Sequence, residues 1–337
     1  MTTMRAAFYE HLGPAKAVLQ LADIDRPAPA AGEVLVRVHA SGVNPSDVKK
    51  RAGWRDTPPP AQRVVPHSDG AGVIEAVGAG VAERWIGRRV WIFNAQGGAS
   101  YGAKAIDAGT AAQYSALPLI NTAPLPDNVS FELGACLGVP ARTAHYTVFC
   151  DGPVRGQTVL VQGGAGAVGE LAIQFAAAAG ATVIATVSSP GKAAVARRAG
   201  ASHTIDRHQQ DVVAEVRRLA PDGVDRIIEI DFGANAQIDA QVLKLGGAIA
   251  SYSSPSGPTP SIPYYPLQFT NARIRLTPIF SISAADSERG LADINYALSR
   301  DLLNPTIFQT LPFERIAEAH ELVESGRAIG NVVVTIS

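Results

Sequence analysis

The stretch that decides the fold reads Val159-Leu160-Val161-Gln162-Gly163-Gly164-Ala165-Gly166-Ala167-Val168-Gly169. A short apolar, β-branched run ends in glycines, which then open an apolar helix. Gly164, Gly166 and Gly169 have the spacing G-x-G-x-x-G, in which the first glycine permits a tight turn, the second lets backbone approach a pyrophosphate, and the third lets helix pack on strand. The N–H groups and positive dipole end of the helix would receive the phosphates. The motif therefore predicts a dinucleotide site.

The residues that follow the glycines strengthen this prediction. The glycine spacing alone is weak evidence, because glycine is common in this chain, at 32 of 337 residues, and many turns contain it. Apolar residues recur at helical spacing over residues 168–179, Gly180 supplies a helix stop, and residues 182–187 have the composition of the next buried strand. Together these segments form a βαβ unit, which is the building block of a doubly wound sheet.

Length and composition narrow the functional class. A chain of 337 residues suggests two domains, and 47% hydrophobic with 18% charged residues is typical of a globular protein. The formal net charge is −1 and basic residues form only short groups, so we expect no nucleic-acid partner. Two cysteines exclude a disulfide framework. Without a leader peptide or a long apolar run, we expect a cytoplasmic protein that does not span a membrane.

The pattern of the chain changes near residue 128. Before it, β-rich runs at residues 34–40, 72–77 and 89–93 are separated by Gly, Pro, Asn and Asp, which predicts a β-rich lobe. After it, helices and strands alternate as far as residue 252, which predicts a doubly wound parallel sheet. The predicted domains are residues 1–126, residues 127–270, and a tail, residues 271–337, that returns to the first domain.

Three further segments carry a family resemblance. They are Ser41-Gly42-Val43-Asn44-Pro45-Ser46-Asp47, Pro66-His67-Ser68-Asp69-Gly70-Ala71-Gly72-Val73-Ile74-Glu75-Ala76-Val77-Gly78, and Gly200-Ala201-Ser202-His203. With the glycine loop, they resemble medium-chain dehydrogenase/reductases, and most closely the zinc-free quinone oxidoreductases related to zeta-crystallin. The resemblance covers essentially the whole chain. It implies an α/β protein with a GroES-like catalytic domain, an inserted Rossmann domain, NADPH as reductant, and quinones or other conjugated carbonyls as acceptors.

The positions that bind zinc in the alcohol dehydrogenase branch are changed in this chain. Where that branch has Gly-Val-Cys, this chain has Gly-Val-Asn44. Where it has Gly-His-Glu, this chain has His67-Ser68-Asp69, so the position of the ligand histidine falls on Ser68. Asn44 and Ser68 do not offer the thiolate or imidazole that zinc prefers, and two cysteines cannot form a four-cysteine zinc loop. We therefore expect no metal site.

The residues after the second strand of the βαβ unit distinguish NAD from NADP. An NAD site has Asp or Glu there for the ribose 2′-hydroxyl, whereas a 2′-phosphate needs small donors and cations. This chain has Ser188 and Lys192, with Arg207 after the next strand, and Glu170 is the one acid between the glycine loop and residue 206. This pattern predicts NADPH. The alternative is that Lys192 and Arg207 are solvated surface cations.

The resemblance implies further cofactor contacts. Asn235 matches a family asparagine near the adenosine, and Ser253 with Ser254 matches a turn on the nicotinamide side. Thr143 and the segment Ile279-Phe280-Ser281 match regions that line the nicotinamide. The family's usual Gly-Lys before the last strand is Gly330-Asn331 in this chain. The expected cofactor-binding residues are Thr143, Gly164, Ala165, Gly166, Ala167, Val168, Gly169, Ser188, Lys192, Arg207, Asn235, Ser253, Ser254, Phe280 and Asn331.

Hydride transfer to a quinone or an enone needs little acid–base machinery, because the nicotinamide carries the chemistry. Asn44 and Ser46 lie where zinc-dependent relatives keep a metal ligand and a proton relay. We expect them to orient the acceptor carbonyl and pass a proton, the alternative for Asn44 being a turn asparagine bonded to backbone. Lys49 replaces a tyrosine often found in the family. It could polarise a developing enolate, or it could be an exposed loop lysine.

The predicted function is NADPH-dependent, metal-free reduction of quinones. An NADPH-dependent enone reductase is the alternative within the same chemistry. A non-catalytic NADPH-binding protein with a structural or RNA-binding role is the alternative from another class. We also expect a homodimer, because the run Arg273-Ile274-Arg275-Leu276-Thr277 has the pattern of an apolar sheet edge that would otherwise be unpaired.

Overall fold

The computed structural model describes residues 2–54, 59–97 and 109–336. The chain forms two compact units, one of Met1–Val139 with Ile307–Ser337 and one of Pro140–Thr306. Within the described residues, no helix combines the length and the apolar character needed to cross a membrane.

The first unit is rich in β structure, as the short runs with Gly, Pro and Asn between them predict. Consecutive side chains are buried along parts of β3 and β4, so buried and exposed residues do not alternate regularly there. This pattern is typical of strands that are covered on both faces. Up to residue 139 its elements are β1 (Thr3–Phe8), α1 (Ala15–Val18), β2 (Gln20–Asp25), β3 (Glu33–Val43), α2 (Pro45–Ala52), β4 (Asp69–Val77), β5 (Arg89–Ile92), β6 (Tyr114–Pro118), β7 (Thr122–Pro124) and α3 (Phe131–Gly134).

The second unit alternates helices with strands. Its six strands form one parallel sheet in the order β10-β9-β8-β11-β12-β13. The strand order reverses between β8 and β11, and the carboxyl edge at such a switch point is where open α/β sheets bind nucleotides. Its elements are α4 (Arg142–Phe149), β8 (Thr158–Val161), α5 (Ala167–Ala178), β9 (Thr182–Val187), α6 (Pro190–Arg198), β10 (His203–Asp206), α7 (Val212–Leu219), β11 (Val224–Glu229), α8 (Phe232–Val242), β12 (Leu243–Ser251), α9 (Tyr264–Phe269), β13 (Arg273–Leu276) and α10 (Ala284–Ser299).

The end of the chain completes the sheet of the first unit. It contributes β14 (Ile307–Pro312), α11 (Ile316–Glu324) and β15 (Asn331–Thr335). β15 pairs with β14 in parallel and with β3 antiparallel, which gives the order β14-β15-β3-β4-β5-β7, with β6 also paired to β3. Val36, Ile74 and Val334 are buried in one core beside this sheet. The fold is therefore the predicted pair, a β-rich domain and a doubly wound parallel-sheet domain.

Both domain boundaries lie later in the chain than the predicted positions after residues 126 and 270. The first lies after Val139, because α3 packs against β3 and β4, and the Val139 N–H donates to Asp69 Oδ2 at 2.6 Å. The second lies after Thr306, because β13 extends the parallel sheet beyond β12 and α10 packs against α4. The tail does return to the first unit, but it begins at residue 307 rather than at residue 271.

Candidate functional site

The glycine loop joins β8 to α5 at the switch point of the parallel sheet. Gly163 has φ +73°, so Gly163 makes the left-handed turn that the spacing alone assigned to Gly164. Gly164 has a different role. A Cβ atom at Gly164 would lie 2.7 Å from Ala185 Cβ and 2.9 Å from Ile173 Cδ1. The absence of a side chain at Gly164 therefore allows the loop to pack between β9 and α5.

The other two glycines lie at the start of α5. Gly166 precedes the first residue of α5, and among the described residues a Cβ there would meet the Gly163 carbonyl oxygen, at 3.6 Å. A Cβ at Gly169 would lie 2.3 Å from the same oxygen, so the first turn of α5 approaches the loop backbone closely. The remaining loop residues are Ala165, which is buried, and Ala167 and Val168, which begin α5. This geometry presents the helix N-terminus to a phosphate.

The three residues predicted to contact a 2′-phosphate come together at the ends of β9 and β10. Lys192 Nζ donates to Ser188 Oγ at 3.0 Å. The Arg207 N–H donates to the Val187 carbonyl at 3.0 Å, which places Arg207 beside the end of β9. Asp206 ends β10 at the same edge, and its carboxylate accepts a hydrogen bond from the His208 N–H at 3.0 Å. Two cations and one carboxylate therefore lie at this edge.

Glu170 takes no part in that edge, although it is the first acid after the glycine loop. Its side chain is buried, and its two oxygens accept hydrogen bonds from the Thr306 N–H at 2.9 Å and the Thr306 hydroxyl at 2.7 Å. Burial raises the pKa of Glu170, and the hydrogen bonds from Thr306 oppose that rise. Glu170 therefore anchors the end of the second unit to α5.

Asn235, Ser253 and Ser254 lie past the carboxyl ends of β11 and β12. Asn235 Nδ2 donates to Glu229 Oε1 at 3.1 Å. Ser254 Oγ accepts a hydrogen bond from the Gly233 N–H at 3.0 Å, and the Ser253 carbonyl accepts one from the N–H that begins α8, at 3.2 Å. These residues therefore share the carboxyl edge of the sheet with the glycine loop.

The last three predicted cofactor residues lie on other elements. Thr143 is buried on α4, and α4 packs against the 3-10 turn Ile279–Ser281, which contains the half-buried Phe280. Asn331 is the first residue of β15 and belongs to the first unit. The structure therefore brings most of the predicted cofactor residues to one unit, and Asn331 is the exception.

In the first unit, the positions that correspond to zinc ligands are hydrogen-bonded to two buried carboxylates. Asn44 Nδ2 donates to Asp69 Oδ2 at 2.7 Å, and the Asn44 N–H donates to Asp47 Oδ2 at 2.9 Å. The N–H and hydroxyl of Ser68 both donate to Asp47 Oδ1, at 3.2 and 3.3 Å. Within the described residues, no group of three or more His, Cys, Asp or Glu side chains could hold a metal ion.

The two neighbouring lysines of α2 point to different surroundings. Lys49 Nζ lies 4.9 Å from the centre of the Trp54 ring, within range of a cation–π contact. Lys50 Nζ donates to Gln96 Oε1 at 3.1 Å. Burial lowers the pKa of Lys50, and the charges of Asp47 and Asp69 oppose that shift. Lys50, and not the predicted Lys49, is therefore the cation of the carboxylate cluster.

Spacing on α2 could have identified Lys50 from sequence. Lys50 follows Ser46 by four residues and Asp47 by three, which are the spacings of neighbours on one helix face. Ser46 is buried, and its hydroxyl has no hydrogen-bond partner among the described residues. Burial raises the pKa of Asp47, and the charge of Lys50 is the largest influence that opposes this. The helix therefore presents a hydroxyl, a carboxylate and an ammonium group together.

A chain of buried hydrogen bonds supports β4 behind this cluster. Thr110 Oγ1 donates to the Asp69 carbonyl at 2.5 Å, so it accepts its other hydrogen bond from Ser41 Oγ at 2.7 Å. Because a hydroxyl has one proton, Ser41 in turn accepts from His67 Nδ1 at 2.7 Å. His67 Nε2 then accepts from His320 Nε2 at 2.9 Å. The chain fixes one neutral tautomer for each histidine.

His67 is held in an uncommon backbone conformation by these contacts. Its φ is +75°, in the left-handed region that favours glycine, and the zinc branch has glycine at this position. Burial lowers the pKa of His67 to about 3. Burial also lowers the pKa of His320. Both imidazoles are therefore neutral at neutral pH, and protonation favours the unfolded chain.

His67→Gly is expected to reduce the stability of the protein more at pH 7.5 than at pH 5. The substitution removes two buried hydrogen bonds, at about 1 kcal/mol each, and leaves a cavity. At pH 5 the parent itself loses about 2 kcal/mol, because the pKa of His67 is about 3 when folded and 6.5 when unfolded. Urea unfolding at both pH values measures the difference. Substitution of the exposed His11 by Asn is the control, and an equal loss for His67→Gly at both pH values would contradict this assignment.

Comparisons with known proteins agree with both halves of the fold. Residues 167–293 match the family model of zinc-binding dehydrogenases, and residues 30–127 match that of the alcohol dehydrogenase GroES-like domain. A quinone oxidoreductase of Rattus norvegicus is 30% identical over 333 residues, which cover 97% of this chain and 96% of the relative.

One further relative and one solved structure are also similar to this chain. The synaptic vesicle membrane protein VAT-1 homolog of Rattus norvegicus is 29% identical over 327 residues, which cover 91% of this chain and 78% of the relative. Among solved structures, the mycobacterial protein Rv1454c complexed with NADPH is similar with a TM-score of 0.83 and 27% identity, over 99% of this chain and 100% of that chain.

Proposed function

Because this chain belongs to the quinone oxidoreductase-like family of medium-chain dehydrogenase/reductases, we propose that it reduces quinones with NADPH and without a metal ion. The observation that carries the proposal is a cluster formed by α2 and the start of β4. Asn44 and Ser68, at the positions of the zinc ligands, donate to the buried carboxylates of Asp69 and Asp47. The charges of both carboxylates act on the Lys50 ammonium group. An ammonium group there supplies positive charge to an acceptor oxygen, which is the role of the metal in the zinc branch.

The glycine loop and the ends of β9 and β10 fit NADPH. Gly166 leaves the N-terminus of α5 open for a pyrophosphate, and Lys192 with Ser188 offers donors for a 2′-phosphate. The NADPH complex of the mycobacterial structure supports the same choice. When bound, the reduced nicotinamide supplies a hydride, and the rest of the reaction needs one proton and a polarised carbonyl.

Lys50 is the proposed source of that proton. Its ammonium polarises the acceptor oxygen, and then an N–H bond breaks as an O–H bond forms on the reduced acceptor. The neutral amine regains a proton from water, with which the partly exposed Lys50 is in contact. A lysine pKa lowered by burial makes the ammonium a stronger acid at neutral pH. The Ser46 hydroxyl and the Asn44 amide are the proposed groups that orient the acceptor.

The proposed function is tested by steady-state rates of NADPH oxidation with benzoquinone, phenanthrenequinone, a short enone and a primary alcohol with NADP⁺. Quinones are expected to react fastest, with no oxidation of the alcohol, because Asn44 and Ser68 replace the thiolate and imidazole that would hold a metal to carry an alkoxide. An enone preferred by more than about tenfold, or about 1.4 kcal/mol in barrier, would favour the enone reductase. NADPH binding without turnover of any acceptor would favour a non-catalytic protein.

The proposal that the reaction needs no metal ion is tested on the same preparation. Dialysis against a strong chelator is expected to leave the rates unchanged, because the side chains of Asn44 and Ser68 are hydrogen-bonded to carboxylates. Elemental analysis before and after dialysis gives the zinc content. Stoichiometric zinc whose removal abolishes turnover would overturn the metal-free assignment.

Lys192→Ala is expected to raise the Kd for NADPH by about 10-fold to 100-fold and to leave the Kd for NADH unchanged. One charge-assisted contact to the 2′-phosphate contributes about 1.5 to 3 kcal/mol. Fluorescence titration with each cofactor measures both constants. Arg198→Ala is the matched control, because Arg198 is an exposed cation on the same helix. Equal affinity of the parent for NADPH and NADH would refute the predicted preference.

We also propose a homodimer formed through β13, the edge of the six-stranded sheet. Ile274 and Leu276 on this strand are 38% and 69% exposed, and Tyr265 and Phe269 on α9 are 66% and 78% exposed. A second copy would pair the open edge and cover these side chains. Leu276→Lys is expected to convert the dimer to a monomer in light scattering at micromolar concentration, whereas Ile120→Lys, in the first unit, should not. A monomeric parent would contradict the proposal.

A further inference from the structure

Two carboxyl groups of the second unit are buried beside the glycine loop. Glu229 is the last residue of β11, and β11 pairs with β8, which leads into the loop. Asp239 lies on α8. Both residues have 0% exposure, and neither has a role in the chemistry proposed above. Buried carboxyl groups are retained at a cost in stability unless their charges are compensated.

Asp239 is connected to the loop through two polar side chains. The Gly163 N–H donates to Thr186 Oγ1 at 3.0 Å, and the Thr186 hydroxyl donates to Gln162 Oε1 at 2.8 Å. The amide nitrogen of the same side chain, Gln162 Nε2, donates to Asp239 Oδ1 at 3.0 Å. The glycine that makes the left-handed turn is thus tied to Asp239 by an unbroken series of hydrogen bonds.

Glu229 is hydrogen-bonded to residues at the start of α8, at the carboxyl edge of the same sheet. Its Oε1 accepts hydrogen bonds from the Asp231 N–H and, at 3.1 Å, from Asn235 Nδ2. The two remaining oxygens, Glu229 Oε2 and Asp239 Oδ2, are buried and have no donor among the described residues. The two carboxyl groups lie close enough that the charge of Glu229 and a hydrogen bond with Glu229 both raise the pKa of Asp239. Two carboxylates cannot form that bond unless one of them carries a proton.

We propose that Glu229 and Asp239 share one proton, and that this proton holds the glycine loop in the geometry that binds NADPH. The two residues are then positioning residues, because they act on the cofactor through Gln162, Thr186 and Asn235. Loss of the proton at high pH would leave two buried negative charges in contact, and their repulsion would disturb the loop. NADPH as the ligand rests on the proposed function, whereas the shared proton is a property of the protein alone.

Among the described residues, the groups that influence the pKa values of the pair are acidic or uncharged. Burial is the main cause that raises the pKa of both carboxyl groups. The charge of Glu229 further raises the pKa of Asp239, whereas a hydrogen bond with Asp239 lowers the pKa of Glu229. Asp231, at the start of α8, also raises the pKa of Glu229. Tyr252 directly follows β12, and its pKa is itself raised by burial and by the charge of Glu229. β8 and β9 present the uncharged Gln162 and Thr186.

The charged groups of the helices packed against β11 and α8 have other partners. On α4, His145 Nε2 is bonded to Asp293 at 2.8 Å, and Arg142 donates to Ser287 Oγ at 3.1 Å. On α7, Arg217 donates to the carbonyl of Gln241. α9 contributes the tyrosines Tyr264 and Tyr265, which are exposed. On β11 itself, Arg226 donates to the carbonyls of Asp151 and Gly152. Among the described residues, the pair would therefore have no cation bonded to it above its raised pKa.

Amide substitutions test this proposal, because an amide reproduces the protonated state without a titratable group. In Asp239→Asn the amide oxygen can accept from Gln162 while the NH₂ donates to Glu229. In Glu229→Gln the NH₂ group of residue 229 donates to Asp239 instead. The parent is expected to lose at least tenfold in NADPH affinity between pH 7 and pH 9.5 in fluorescence titrations, and each variant less than threefold. Asp222→Asn, an exposed carboxyl of the same unit, should keep the parent profile.

The decisive comparison is between parent and variants at each pH, since the cofactor and the other residues of its site are the same in all of them. An equal pH dependence in the parent and Asp239→Asn would overturn the proposal. Thermal unfolding without cofactor gives a readout that is independent of NADPH. The Tm of the parent is expected to fall over the same pH range and that of Asp239→Asn to stay constant, whereas parallel curves would again overturn it. If the parent binds no NADPH at any pH, the proposed function fails and the Tm comparison still tests the shared proton.

Discussion

Gly169→Ala is expected to lower NADPH affinity by at least about 100-fold and the free energy of unfolding by about 2 to 3 kcal/mol. A Cβ atom at residue 169 would lie 2.3 Å from the Gly163 carbonyl oxygen, which belongs to backbone and cannot rotate away. The helix must move off the loop, and overpacking of this kind typically costs about 1 to 3 kcal/mol. Displaced N–H groups of the first turn would no longer meet a pyrophosphate. Fluorescence titration and urea unfolding measure the two effects.

Two other glycines separate binding from folding in this experiment. Gly166→Ala places a Cβ 3.6 Å from the Gly163 carbonyl oxygen, an ordinary contact, so stability should be kept. Affinity should fall because the methyl group occupies the phosphate approach. Gly191→Ala on α6 meets none of the described residues within 4 Å and should leave both properties within error. Retention of parent affinity by Gly169→Ala would show that the phosphates do not bind at this helix.

Lys50→Met is expected to lower kcat for quinone reduction by about 100-fold to 1000-fold. Removal of a single group that stabilises developing charge has effects of this size, and a positioned general acid adds a similar factor. The parent rate should fall as pH rises through the lowered pKa of Lys50, and the variant should lose this pH dependence. Steady-state kinetics from pH 6 to pH 10 give both the rate and the profile.

Three further variants make the result specific to Lys50. Lys50→Arg keeps the charge but not the titration, so it should recover part of kcat and lack the alkaline decline. Lys49→Met decides between the two adjacent lysines, and a larger effect there would return the role to Lys49. Lys16→Met removes an exposed lysine that pairs with Glu321 and serves as the matched control. Circular dichroism checks that Lys50→Met folds, since Asp47 loses its neutralising cation.

The sequence was sufficient for the fold and for most of the nucleotide site because both depend on local patterns. The glycine spacing, the apolar period of α5 and the β-branched run of β9 lie within 30 residues of one another, and each has a direct physical reading. The assignment of the tight turn to Gly164 was wrong for a reason that is not local. The contacts with Ala185 and Ile173 decide which of two adjacent glycines turns.

The proposed catalytic cluster was harder to predict because part of it depends on neighbours that are distant in sequence. The spacing of three residues from Asp47 favours Lys50 over Lys49, but the contacts of Lys50 with Asp69 and Gln96 cannot be read from α2 alone. The predicted domain boundaries differ from those of the structure for a similar reason. An amphipathic helix such as α10 shows which face is buried, but not which sheet covers it, and residues 271–306 therefore resembled part of the returning tail.

The sheet order of the first unit has a consequence for the order in which the chain is made. β15 lies between β14 and β3, so an interior strand of that sheet is supplied by residues that are synthesised after the whole second unit. Residues 140–306 form a continuous unit and have all their strands well before that point. The second unit can therefore fold during translation, whereas residues 40–43 of β3 must wait for residues 332–335 of β15 before that side of β3 is paired. An exposed strand edge of this kind is prone to aggregation. A nascent chain stopped before β15 should therefore depend on chaperones, and the buried bond from His320 to His67 forms only after the whole second unit has been made.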